Sequence, residues 1–139
     1  MNAIEVQHHL GRARDFLEGM RLLQEDKRTF ALSSALLGIH CAISYGDALR
    51  KGLGRVKLSA DDHRSAATDL KKLLASEKFA SSEGPDRLGK LISRKSRISY
   101  KAVEVRMEEV EEIVKHAERF ALWAEGAGKE LRIEGWRND

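Results

Sequence analysis

Residues 29–51, TFALSSALLGIHCAISYGDALRK, constrain the fold more than any other stretch of this sequence. Drawn as a helix, they place apolar and small residues on every side, and charge begins only at Asp47. A surface helix shows one apolar stripe, whereas a helix that is apolar all round must be buried on most of its faces. The apolar run 35–43 is far too short to find that burial in a bilayer, which takes about 20 residues. Other helices of the protein have to surround it. Thr29 is the expected N-cap, and Gly52 or Gly54 the expected stop. Arg50 and Lys51 fall in the last turn, where cations favour the helix dipole.

The rest of the chain supplies those surrounding helices. Val6, Leu10, Ala13, Leu17 and Met20 step by three and four, predicting an amphipathic helix over 3–25 whose stripe Phe16 and Leu23 widen. Residues 59–79 open on Ser59, Asp61 and Asp62, good capping and first-turn residues, and carry a core face of Ala66, Leu70, Leu73 and Leu74. ASSEGPD, at 80–86, reads as the clearest break in the chain. Leu88, Leu91, Ile92 and Ile98 form the next apolar face. Met107, Val110, Val114, Ala117, Ala121 and Ala124, joined by Ile113 and Phe120, predict a last helix at about 106–125 that ends near Gly126 or Gly128. Pro85 is the only proline, which suits helices throughout. The expected fold is all-α: an up-and-down bundle of about five helices over 1–126. A polar tail, 127–139, is expected to be mobile or to dock on a partner chain through Leu131, Ile133 and Trp136.

Some function classes are excluded early. One cysteine, Cys41, allows neither an internal disulfide nor a cysteine metal cluster. The opening residues are charged and lack an apolar h-region, so no signal peptide is expected and the expected location is the cytoplasm, with no membrane contact. No Gly-rich phosphate loop is present, since GLGR has neither the length of one nor a strand before it. No cofactor is implied.

The candidate site lies in LGKLISRKSRISYK, residues 88–101, which contains no acid. With Arg87 added, Arg87, Lys90, Arg94, Arg97 and Lys101 are spaced three and four apart, which on a helix makes one continuous basic stripe. Like charges at that spacing repel by roughly a few tenths of a kcal/mol per pair, so something should offset them. One candidate is the last helix: residues 104–125 hold seven acids and three bases. The other is an external polyanion. Only Tyr100 lies in the stretch to stack on a base.

Three segments together resemble HEPN domains. SSALLGIHCAISYGDALRK is similar to their second helix, where small and apolar residues surround a histidine. SADDHRSAATDLKKLL resembles the segment where a histidine opens the third helix, and LISRKSRISYKAVEVRMEEVEEIVKHAERFALWAE resembles the arginine-led closing segment. Many HEPN proteins are dimeric ribonucleases with a motif of arginine, a polar residue and a following histidine. Arg94 matches the arginine, Lys95 stands at the polar position, Ser99 stands where histidine is expected, and Tyr100 lies near the aromatic position. Serine does not ionise near neutral pH and cannot replace histidine in proton transfer. The resemblance thus implies a non-catalytic homodimeric branch. It would bind a nucleotide, RNA or a partner protein, in a nucleotidyltransferase or toxin–antitoxin setting.

Further polar candidates are His40, Ser44 and Asp47, which share one face of the second helix, and His63 beside Asp61 and Asp62. His40, Ser44 and Asp47 read either as a polar site or as buried groups satisfied by neighbours. Cys41 beside His40 points about 100° away from it on a helix and reads as a small hydrophobe. No metal ligand set is seen. Three functional readings stay open: a binding module, a ribonuclease rebuilt around His40 or His63, and a purely structural oligomeric domain.

Overall fold

The computed structural model of the 139-residue chain describes residues 2–55, 58, 63–79, 81–100 and 104–137. Five helices carry the fold: α1 (Asn2–Leu23), α2 (Ala31–Gly52), α3 (His63–Ser76), α4 (Glu83–Tyr100) and α5 (Met107–Glu130). A 3-10 turn, Gln24–Asp26, joins the first two, and no strand occurs among the described residues. The expected all-α bundle is what forms.

Helix α2 is its axis. It packs against α1, α3, α4 and α5, while α3 and α5 each pack on α4. Its buried residues run from Ser34 to Lys51, covering all sides as the all-round apolar pattern requires. Even Arg50 and Lys51 are buried, at 4% and 7% exposure. Each has an acid to meet it: Arg50 Nε donates to Asp69 of α3 at 2.9 Å, and Lys51 pairs with Glu5 of α1 at 2.6 Å. The stripe of α1 is buried at Val6, Leu10, Ala13, Leu17 and Met20, and that of α5 at Val110, Ile113, Ala117, Phe120, Ala121 and Ala124.

Helix ends depart from the sequence reading in instructive ways. Thr29 does not cap α2. Phe30 holds that position without a side-chain bond, and Thr29 N instead donates to Asp26 Oδ1 at 3.4 Å in the turn before it. The segment around Pro85 is a start and not only a break. Pro85 lies in the first turn of α4, where helix N–H groups lack intrahelical partners, so its missing donor costs little. Next to it, Gly84 is needed for space: a Cβ there would lie 2.3 Å from the Trp123 indole of α5.

Helix α5 passes through Gly126 and Gly128 and ends five residues beyond the expected 125. It closes by a Schellman motif, in which Arg132 N bonds to Lys129 O at 3.1 Å and Ile133 N to Gly128 O at 3.1 Å. Arg132, at φ 52°, takes the left-handed residue's place. Helix α3 ends the same way around Lys78 (φ 58°), with Phe79 N bonded to Leu74 O at 2.9 Å. The residue after each turn, Ile133 or Phe79, packs against the core. Such local apolar contacts offset the left-handed penalty of a non-glycine residue, about 1–2 kcal/mol.

The tail docks on its own chain. Residues 131–137 cross α1, α2 and α5, with Ile133 against Gly52 and Gly135 against Ala3. Trp136 lies over Gly128, where a Cβ would meet the indole at 2.1 Å.

Candidate functional site

Four residues of the basic stripe, Arg87, Lys90, Arg94 and Arg97, lie on α4 at the expected spacing. Leu88, Leu91 and Ile98 bury one face of α4, and the adjoining cations then lie along its seam with α5. Glu109 of α5, its side chain only 12% exposed, accepts from Arg94 Nη1 at 2.9 Å and from Arg97 Nε at 3.1 Å. Arg97 Nη2 also donates to the Glu104 carbonyl at 3.3 Å. Glu112 stands 3.9 Å from Arg94 Nη2. Arg87 donates through Nη2 to Glu83 at 2.9 Å and through Nη1 to His116 Nδ1 at 3.1 Å. Part of the stripe is therefore offset by α5 acids.

The offset is incomplete. Arg87, Lys90, Arg94, Lys95 and Arg97 present five cations, and their ion pairs among the described residues use three carboxylates, Glu83, Glu109 and Glu112. Lys90 is exposed and makes no ion pair with a described residue. Arg94 and Arg97 keep 38% and 42% of their side-chain surface in solvent. The ridge is left positive, with guanidinium groups at its surface. Such groups suit bidentate contact with phosphate or carboxylate. Lys101 and the side chain of Tyr100 lie outside the described residues.

His116 enters this seam from α5. A guanidinium can only donate, so the Nδ1 that faces Arg87 must be an acceptor and its Nε2 carries the proton, 3.6 Å from Glu112. Burial, then the Arg87 charge, holds its pKa below the usual histidine value. The imidazole is thus neutral at neutral pH. In sequence His116 lies well beyond Arg94, on the following helix. It is antiparallel helix packing that sets it against Arg87, about two turns before Arg94 on α4.

The second polar group divides. The His40 ring packs 5.8 Å from that of Phe16, tilted by 47°. Ser44 is buried. Asp47 belongs to a charged cluster on α2 and α3: it lies 3.6 Å from Arg50, which bonds to Asp69, which in turn receives Arg55. Burial pushes the Asp47 carboxyl up to about 6 despite Arg50 and Arg12. The side chain of His63 lies outside the described residues. Cys41 is fully buried, and its thiol is pushed up to about 12 by that burial, so it is not a thiolate nucleophile at neutral pH.

A group that sequence reading missed sits between α1 and α5. Glu125 accepts from Arg14 Nε and Nη2, both at 2.8 Å, from Tyr45 Oη at 2.7 Å and from Trp136 Nε1 at 3.1 Å. Arg14 also donates to the Arg137 carbonyl of the tail. Burial alone would raise the Glu125 pKa, but these donors, led by Arg14, hold it below the usual carboxylate value. Tyr45 is driven the opposite way, above the usual phenol value, by burial and then by the carboxylate beside it. One signal did exist: a tyrosine inside a buried helix needs a partner for its hydroxyl. Further along, Arg21 binds Glu118 through Nε at 2.9 Å and Nη2 at 2.7 Å. These pairs line an open groove of about 610 Å³ whose rim includes Leu122.

Among the described residues, no three His, Cys, Asp or Glu side chains converge as a metal would require, and no helix is long and apolar enough to cross a membrane. No family model, curated protein or solved structure matches this chain.

Proposed function

We propose that this chain is a non-catalytic, HEPN-like binding module whose α4 ridge receives a phosphate-bearing ligand, a nucleotide or RNA. The observation that carries this reading is the oversubscription of Glu109. One carboxylate answers to two arginines while Lys90 stays exposed, so the ridge keeps positive charge after its internal pairing. The neighbours of Arg94 support the non-catalytic part. They are Glu109 and Glu112, groups that hold it in place, and Ser99 fills the position where the resemblance expects an acid–base histidine.

The test is binding of a short single-stranded RNA by fluorescence anisotropy across a salt series. The logarithm of the affinity should fall linearly with that of salt, by roughly 0.7 for each phosphate neutralised. Lys90→Glu with Lys95→Glu should abolish binding without breaking any pair to Glu109. Binding unchanged by that double substitution removes the ridge from the proposal. Cleavage of the RNA by the purified protein overturns the non-catalytic reading and favours a ribonuclease using His40 or His63.

A second reading, of a homodimer or protein-interaction domain, has its own observation. Leu122, on the rim of the α1–α5 groove, is 78% exposed. Sedimentation should then show a dimer that Leu122→Glu dissociates, and a monomer at high concentration would end it. A nucleotidyltransferase or antitoxin partner belongs to the same proposal and would appear in native co-purification.

A further inference from the structure

Resting on the anion reading of the α4 ridge, we infer that the Arg87–His116 contact is its phosphate subsite, and that this subsite takes up a proton together with the phosphate. Arg87 from α4 and His116 from α5 meet at 3.1 Å, each with 16% of its side chain exposed. Two potential phosphate donors on separate helices converge at one half-buried point. At rest one of them is spent on the other, since Arg87 donates into the lone pair of His116 Nδ1.

The surroundings make the protonated resting state unfavourable. Arg87 and Lys90 of α4 and Lys115 of α5 all act on the imidazole as like charges, and Glu112 is the acid that acts against them. Arg94 lies beyond Glu112, at 3.9 Å from it. Protonation would also cost His116 its acceptor, and with it the Arg87 bond.

A phosphate oxygen reverses each of these terms. Placed between the two side chains, it accepts from Arg87 Nη1 and from a protonated Nδ1–H, and its negative charge offsets the added proton. Glu83, which holds the other arm of Arg87, is 68% exposed and free to yield. The bond balance is simple: one Arg87–His116 hydrogen bond is lost, two charge-assisted bonds to phosphate are gained, and one proton is taken from solvent. By linkage, affinity must rise as pH falls through the range in which bound His116 titrates.

The test uses two phosphodiesters that do not themselves titrate near neutrality, a short oligouridylate without terminal phosphate and uridine 3′,5′-cyclic monophosphate. Isothermal titration between pH 7.5 and 5.5 should show affinity rising by up to about tenfold per pH unit, the slope of one proton taken up. Binding of both probes points to free phosphodiester as sufficient, and binding of the oligomer alone to an RNA chain. His116→Gln should flatten the pH dependence, while Asp47→Asn and His9→Gln, which remove other groups with shifted pKa values, should leave the slope intact. Histidine NMR should show the His116 pKa rising on binding. Affinity that is independent of pH and unaffected by His116→Gln overturns this subsite while leaving the ridge standing. Failure of both probes to bind at any pH overturns the subsite and the ridge together.

Discussion

Two of the α5 glutamates that meet arginine, Glu125 and Glu109, do opposite things with it. Glu125 meets one cation, Arg14, and fills its remaining acceptor sites with the neutral donors Tyr45 and Trp136. Its donors come from α1, α2 and the tail, so charge is balanced and four parts of the chain are tied at one point. Glu109 meets two cations, Arg94 and Arg97, and both come from α4. Charge there is left over and only two helices are joined. A balanced, multi-element node suits holding a fold, and an overcharged two-helix seam suits holding something else. Removing one partner of a partly buried pair is costly because the other is left desolvated, whereas exposed charges on a ridge hardly affect stability.

The largest effect should come at the balanced node. Glu125→Ala leaves Arg14, the Tyr45 hydroxyl and the Trp136 N–H without their acceptor, and should cost about 2–4 kcal/mol by urea unfolding. A loss under about 1 kcal/mol would mean that the node is not what joins α1, α2 and the tail. Next, Gly128→Ala puts a methyl where the Trp136 indole lies. Expulsion of that ring should cost about 1–3 kcal/mol and red-shift tryptophan emission.

Asp47 sharpens the contrast from a third side, because burial raises it by more than the cation beside it lowers it. Its folded pKa, pushed to about 6, exceeds the 3.8 of the free carboxyl. The folded state thus binds more protons than the unfolded one between those values, and stability falls as pH rises through that window. Asp47→Asn removes this slope and should make the protein more stable at pH 7 by about 1–2 kcal/mol, after the lost contact with Arg50. Thermal unfolding at pH 4, 5, 6 and 7 would show the two curves parting as pH rises. The smallest effect on stability belongs to the ridge: Lys90→Glu with Lys95→Glu should stay within about 0.5 kcal/mol of the parent protein while losing the ligand. A large destabilisation by those two changes would erase the distinction between the regions.

The helix ends show how far sequence signals reach. Gly54 is a glycine at a left-handed position, and its place after α2 was legible: Arg55 N bonds back to Arg50 O at 3.0 Å, as the motif requires. The ends of α3 and α5 use the same hydrogen bonds, yet Lys78 and Arg132 occupy the left-handed site. Nothing about lysine or arginine announces that conformation. What selects it is the apolar residue that follows, Phe79 or Ile133, finding a place in the core. Gly128 misled for the converse reason, since a glycine inside a helix can serve a neighbouring indole instead of a turn, while Gly126 has open space beside it and simply lies within α5.

The candidate site was legible in a similar measure. The stripe of Arg87, Lys90, Arg94 and Arg97 follows from spacing, and the acidity of the last helix announced partners for it. Which acid would be shared, and that His116 would reach Arg87, depended on the register between α4 and α5. The Glu125 node lay further out of reach, because Arg14 and Tyr45 stand 111 and 80 residues away in sequence.

By itself, then, the sequence determined the elements. A period of 3.6 residues is a local property, so the buried stripes of α1 and α5 and the all-round burial of α2 could be read from residue order. Only the tertiary structure decided which charges meet. The angles and registers between helices come from packing the apolar faces against α2, and a polar contact between two helices is a consequence of that packing. Shifting one helix by a single turn, about 5.4 Å, would keep every stripe and change every pair.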